Sequence, residues 1–210
     1  MKTLKKENIA GLIVAGGQGM RMGKTDKCLL TLDNKTLLAR CVARLNPQVN
    51  TLAFNANGQL DRFSEVLNTL PLMPMLPDRP PSAGPISGII AGLTWLQHQP
   101  EEWLVTIAAD TPFFPMDLVA RLSQGLGVKT PLAVASDSHG MHPLFGLWHK
   151  SLLPRLQQAL AQDECRLQQL IKAIGGIQVD FSGCGPEAFF NINTPEEWAR
   201  AQAQQALTAK

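Results

Sequence analysis

The sequence predicts an α/β protein: a single domain of three α/β/α layers around a mostly parallel central sheet. Three observations carry this reading. Short apolar runs alternate with helix-length segments along the whole chain, the pattern of successive strand–helix–strand units. One run, residues 103–109 (Trp-Leu-Val-Thr-Ile-Ala-Ala), is almost continuously apolar, as a central parallel strand covered on both faces must be. The 210 residues suffice for one full core, and no internal repeat, low-complexity tract or linker divides them.

Taken in order, residues 9–15 read as a buried strand and 36–45 as an amphipathic helix stopped by Asn46-Pro47. Residues 51–57 are the next strand, 60–70 the next helix and 72–76 a short strand. A proline-rich loop over 77–85 then leads into a helix at 86–98. Gly88 and Gly92 fall on one side of that helix and permit close packing or close ligand approach. The central strand at 103–109 ends at Asp110. A helix over about 115–124 follows, then strands at 132–135 and 144–148, with residues 134–141 the most loop-like long stretch. Helices run from Leu152 onward, and 177–181 is a late strand. Thr194-Pro195-Glu196-Glu197 supplies an N-cap, a first-turn proline and a capping-box glutamate for a C-terminal helix.

Composition narrows the function classes. A formal charge of +2 lacks the concentrated basic face of a nucleic-acid binder. No segment approaches the roughly 18 apolar residues that span a bilayer. The amino-terminal apolar run contains glycine and leads straight into a charged loop, so it is not read as a signal peptide. Four scattered cysteines without a Cys-x-x-Cys pair suit reduced thiols in a cytoplasmic protein.

The chemistry begins at Ala15-Gly-Gly-Gln-Gly-Met-Arg-Met-Gly-Lys-Thr-Asp-Lys27, directly after the first strand. A Walker A loop has four residues between its first glycine and Gly-Lys-Thr, whereas Gly17 to Gly23 encloses five. A dinucleotide fingerprint needs a third glycine where Met22 stands. The loop nevertheless concentrates Gly16, Gly17, Gly19 and Gly23 with Arg21, Lys24 and Lys27. Glycines let backbone N–H groups approach an anion, and the basic side chains neutralise it.

Ligands of open α/β sheets bind beyond the carboxyl ends of the strands. Besides the loop, Asn55, Asn57, Asp78 and Asp110 fall at such ends, so a parallel sheet brings them to one edge. Asp110 suits Mg²⁺, which takes one or two carboxylates plus substrate phosphate oxygens; its plainer role is to cap the following turn. His139 and His142 lie close together without an acidic or cysteine partner at ligand spacing, so a metal site there has little support. Cys28 has a basic neighbour that would lower its pKa, yet Leu29 and Leu30 favour a packed thiol.

Val14-Ala15-Gly16-Gly17-x-Gly19-x-Arg21-Met22-Gly23-x-x-Asp26-Lys27 resembles the fingerprint of nucleotidyltransferases with a Rossmann-like nucleotide-binding fold. Asn55-Ala-Asn57, Asp78 with Gly84-Pro85-x-x-Gly88, Asp110-Thr-Pro112, His142-Pro143 and the tail Val179-Asp-Phe-Ser182…Phe190-Asn-Ile-Asn-Thr-Pro-Glu-Glu197 are similar to the molybdenum cofactor guanylyltransferase branch. One departure is Gly23-Lys24, where relatives often carry Gly-Gly. The resemblance implies GMP transfer from Mg²⁺-bound GTP to the phosphate of molybdopterin, with about 9–115 binding nucleotide and about 130–200 binding acceptor. It implies that Val14, Ala15, Gly16, Gly17, Lys27, Asn55, Asp78, Gly84 and Asp110 bind the nucleotide. Arg21, Lys27 and Asp110 are the expected catalytic groups, and Asp110 the Mg²⁺ ligand. Lys24, His142, Asn191 and Asn193 are acceptor candidates, although Asn193 also directly precedes the helix cap. Transient contacts with a molybdopterin-delivering protein and with molybdoenzymes are implied, and none with nucleic acid or membrane. The alternatives are a transferase using CTP, or acting on a sugar or polyol phosphate, and a nucleotide-sensing protein without turnover.

Overall fold

The computed structural model describes residues 4–15, 26–78, 84–127, 130–185 and 187–208. The expected Gly16, Gly17, Arg21 and Lys24 lie outside them.

Strand β1 is Ile9–Val14. A hairpin of β2 (Thr31–Leu32) and β3 (Lys35–Thr36) follows, then helix α1 (Leu37–Leu45) and β4 (Thr51–Asn55). Helix α2 is Ser64–Leu67, β5 is Met75–Leu76, α3 is Pro85–Leu96 and β6 is Trp103–Ala108. Next come α4 (Leu118–Gly125), β7 (Leu132–Asp137) and β8 (Gly140–His149). Helices α5 (Leu153–Ala161) and α6 (Leu167–Ile174), strand β9 (Ile177–Asp180) and helix α7 (Pro195–Thr208) complete the order.

Seven strands form one sheet in the order β5-β4-β1-β6-β8-β7-β9. Only β8 opposes its neighbours β6 and β7; the other pairings are parallel. Because successive strand residues face opposite sides, one sequence serves two cores. In β1, Ile9 and Ile13 join β6 residues Val105 and Ile107 beneath α1 and α4. Ala10, Leu12 and Val14 join Leu104, Val134 and Trp148 beneath α3, α5 and α6. These are the three layers expected. A smaller cluster of Leu32, Leu37, Ile192 and Ala201 fastens α7 to the β2–β3 hairpin.

Several local expectations need correction. The helix expected over 60–70 is a 3-10 turn at Leu60–Phe63 followed by the four residues of α2. Phe63 alone is buried in the two, too little apolar surface to hold a longer helix. The strand expected over 72–76 shrinks to β5, because Pro71 and Pro74 have no N–H to give an edge ladder. The second strand stops at Asn55 and helix α4 starts at Leu118. The stretch 134–141 is not a loop: β7 and β8 pair as far as Asp137 opposite Gly140, with a bulge at Val134/Ala135. Gly88 and Gly92 serve packing. A Cβ on Gly92 would stand 2.5 Å from Leu12, and one on Gly88 would stand 2.4 Å from the Asn55 side chain.

Candidate active site

The carboxyl ends of β1, β4, β5 and β6 lie side by side, since Val14 pairs with both Asn55 and Ala108, and Asn55 pairs with Leu76. The residues that follow these ends therefore share one edge.

On one flank stands an asparagine–aspartate cluster. Asn55 Nδ2 donates to the Leu76 carbonyl (2.8 Å) and to Asp78 Oδ1 (2.9 Å). Asn57 Nδ2 donates to Asp78 Oδ2 (2.7 Å), and Asn57 Oδ1 accepts from the Asp78 N–H (2.8 Å). Both carboxylate oxygens are thereby held. Asn55 is 1% exposed, so it shapes this edge chiefly by fixing Asp78. Gly84 opens α3 with φ 65° and ψ −147°, a conformation nearly restricted to glycine, and Pro85 then supplies the first helical residue. Ala15 hydrogen-bonds the Asn55 carbonyl at 2.9 Å, so the chain leaves β1 alongside this cluster.

On the other flank are Lys27, Asp110 and the segment before α7. Lys27 Nζ donates to Asn193 Oδ1 at 2.6 Å. The Ile192 N–H donates to the Asp110 carbonyl at 2.9 Å. The Thr111 hydroxyl meets Asn191 Oδ1 and lies 3.3 Å from Asp110 Oδ1. Burial pushes the Asp110 carboxyl above its ordinary range. The Lys27 ammonium, a backbone N–H and the Thr111 hydroxyl oppose that shift, and Glu197 adds to it. A carboxylate so placed gains from a nearby cation, and its hard oxygen is the donor type Mg²⁺ prefers. Among the described residues no group of three His, Cys, Asp or Glu forms a self-sufficient metal site.

Farther along the same edge, the β7–β8 hairpin carries His142. Its Nε2 lies 2.9 Å from Asp137 Oδ2, and its ring stacks on Phe189 with centroids 4.3 Å apart. Asp137 is the acidic partner that spacing did not reveal, since the hairpin turn folds it back over His142. Burial pushes the Asp137 carboxyl up, but the His142 ring and the His139 N–H beside it hold it below its usual range. Cys28 settles as a packed thiol: burial, reinforced by Asp26, drives its pKa to about 12 despite the adjacent lysine.

Two further side chains, neither of them an expected site residue, tie this edge together. Arg62 pairs with Asp26 and donates to the Asn57 carbonyl at 2.6 Å, joining the end of the glycine-rich segment to the Asn57–Asp78 pair. Glu197, legible as a helix-capping residue, also holds the backbone of Asn193.

The MobA-like NTP transferase domain model matches residues 11–177. A molybdenum cofactor guanylyltransferase of Mesorhizobium japonicum is 38% identical over 97% of this chain and 100% of its own length. One of Serratia proteamaculans is 39% identical over 96% of this chain and 98% of its own length. The crystal structure of molybdopterin-guanine dinucleotide biosynthesis protein A from Archaeoglobus fulgidus superposes with a TM-score of 0.75 at 21% identity. That match covers 94% of this chain and 99% of that one, and it supports the fold. With a matched fold, near-full-length relatives and the strand-end site in place, the chain belongs to the MobA-like NTP transferase family.

Proposed function

We propose that this chain transfers GMP from Mg²⁺-bound GTP to the terminal phosphate of molybdopterin, releasing pyrophosphate and forming molybdopterin guanine dinucleotide. The carrying observation is that Lys27 and Asp110, distant in sequence, meet at one strand edge through the segment 191–193. The near-full-length relatives named as guanylyltransferases favour GTP over CTP.

In this reading the acceptor phosphate oxygen attacks the α-phosphorus, and the bond from that phosphorus to the β-phosphate's bridging oxygen breaks. The nucleophile is already an anion, so the site needs no strong base. Its work is positioning and charge neutralisation. Val14, Ala15, Gly16 and Gly17 offer backbone to the nucleotide, and Lys27 with Arg21 faces its phosphates. Asp78, braced by Asn55 and Asn57, binds toward base or ribose, and Gly84 lets α3 begin close to it. Asp110 holds the divalent ion, which when bound neutralises phosphate charge. Asn191, Asn193, His142 and Lys24 serve the acceptor. The nucleotide side spans about 9–115 and the acceptor side about 130–200 of one domain. Its cysteines Cys28, Cys41, Cys165 and Cys184 are free, in keeping with a cytoplasmic protein meeting molybdopterin carriers and molybdoenzymes transiently. Among the described residues no helix is long and apolar enough to cross a membrane.

A thermal-shift panel of GTP, CTP, ATP and UTP with Mg²⁺ tests the base. GTP should give the largest stabilisation; a larger shift with CTP would replace the guanylyl assignment by a cytidylyl one.

A further inference from the structure

We propose that Glu197 is a positioning residue for the transfer reaction: through Asn193 it sets where the Lys27 ammonium stands. The inference rests on the assignment of Lys27 to the nucleotide phosphates.

Glu197 Oε2 accepts from the Asn193 N–H (2.7 Å) and from the Thr194 N–H (2.9 Å). The Glu197 N–H in turn donates to Thr194 Oγ1 at 3.2 Å. A plain capping box satisfies the N-cap residue and closes on itself. Here the carboxylate also reaches one residue farther back, to Asn193, whose side-chain oxygen accepts a hydrogen bond from Lys27 Nζ at 2.6 Å. Fixing the Asn193 backbone fixes the Cα–Cβ bond from which its amide reaches Lys27.

The same short segment is pinned from two other sides. Ile192 is fully buried against Leu32 and Leu37, which follow Lys27 in the chain, and its N–H is bonded to the Asp110 carbonyl. Asn191 meets Thr111. Residues 191–193 thus bridge the lysine side and the aspartate side of the site, and Glu197 is the side chain that clamps the bridge to α7. A lysine on four rotatable carbons loses its advantage as a point charge unless a partner aims it.

Capping and positioning separate by mutation. Glu197→Ala removes the clamp and the cap together. Thr194→Ala removes the reciprocal cap bond and leaves the bond from Asn193 in place. Glu197→Gln keeps an oxygen able to accept both N–H bonds. Two readouts are taken on each full-length variant: the rate of reductive methylation of Lys27 without ligand, followed by peptide mass mapping, and steady-state kcat and KM for GTP with molybdopterin as acceptor. Glu197→Ala should change Lys27 labelling severalfold and lower kcat about tenfold, the scale of a small misplacement of a catalytic group. Glu197→Gln and Thr194→Ala should remain near wild type in both. Unchanged Lys27 labelling in Glu197→Ala overturns the proposal, as does labelling that moves without a fall in kcat. Equal losses in Thr194→Ala and Glu197→Ala also overturn it, because helix capping would then account for both. If labelling follows the predicted ranking while wild type forms no dinucleotide, the clamp stands and the proposed reaction fails.

Discussion

Lys27 Nζ donates to Asn193 Oδ1 at 2.6 Å across 166 positions of sequence, joining the start of the chain's first 3-10 turn after β1 to the entrance of the last helix. The contact joins a residue expected at the nucleotide to one expected at the acceptor. It gives the two halves of the chain a shared polar point at the edge of the sheet.

Lys27→Ala should lower kcat/KM for GTP by about 10²-fold, the scale seen when one preorganised donor to developing charge is removed. Urea unfolding should stay within about 1 kcal/mol of wild type, since the side chain is only half-buried. Steady-state kinetics beside a denaturation curve check both. Unaltered kinetics would remove Lys27 from the phosphates.

Asp110→Asn should abolish most Mg²⁺-dependent turnover while preserving the fold. The sign of its pH effect follows from burial, which raises the folded-state pKa. An acid raised on folding contributes stability below its unfolded pKa and loses that contribution as pH rises through the folded value. The metal-free Asn variant should therefore melt above wild type at neutral pH. The gap should close as pH falls below the ordinary carboxylate range. Scanning calorimetry across pH in EDTA measures it.

Asp78→Asn replaces an acceptor held between two asparagine amides by a group whose N–H₂ faces another donor. It should cost about 1–3 kcal/mol of stability, as for a buried donor left unsatisfied, and raise the KM for GTP. Urea unfolding and substrate titration separate the two effects.

Gly84→Ala tests backbone alone. A Cβ there meets nothing within 4 Å, yet φ is +65°. A loss of about 1–3 kcal/mol in urea is expected from the conformation itself. No loss would mean that α3 can begin in another way.

The framework of the fold is legible because apolar runs and capping signals are local: β1, β6, α1 and the Thr194 start of α7 stand where the pattern places them. The β2–β3 hairpin has no strand pattern in the sequence because its strands have two residues each, although Asp33-Asn34, both at positive φ, is its turn signal. The β7–β8 turn reads as loop because Ser136 to Gly140 leaves the core and loses apolar alternation. At the site, strand ends identify Asn55, Asp78 and Asp110. Pairings such as Lys27 with Asn193 and Arg62 with Asp26 are set by tertiary approach, which no spacing encodes, whereas His142 meets Asp137 across the local β7–β8 hairpin.

The most direct measurement is incubation of the purified protein with α-³²P-labelled GTP, Mg²⁺ and molybdopterin, followed by separation of products. The account predicts label in molybdopterin guanine dinucleotide, one pyrophosphate released per dinucleotide, and loss of both in Asp110→Asn. Bound GTP with neither product would contradict it and leave a nucleotide-binding protein.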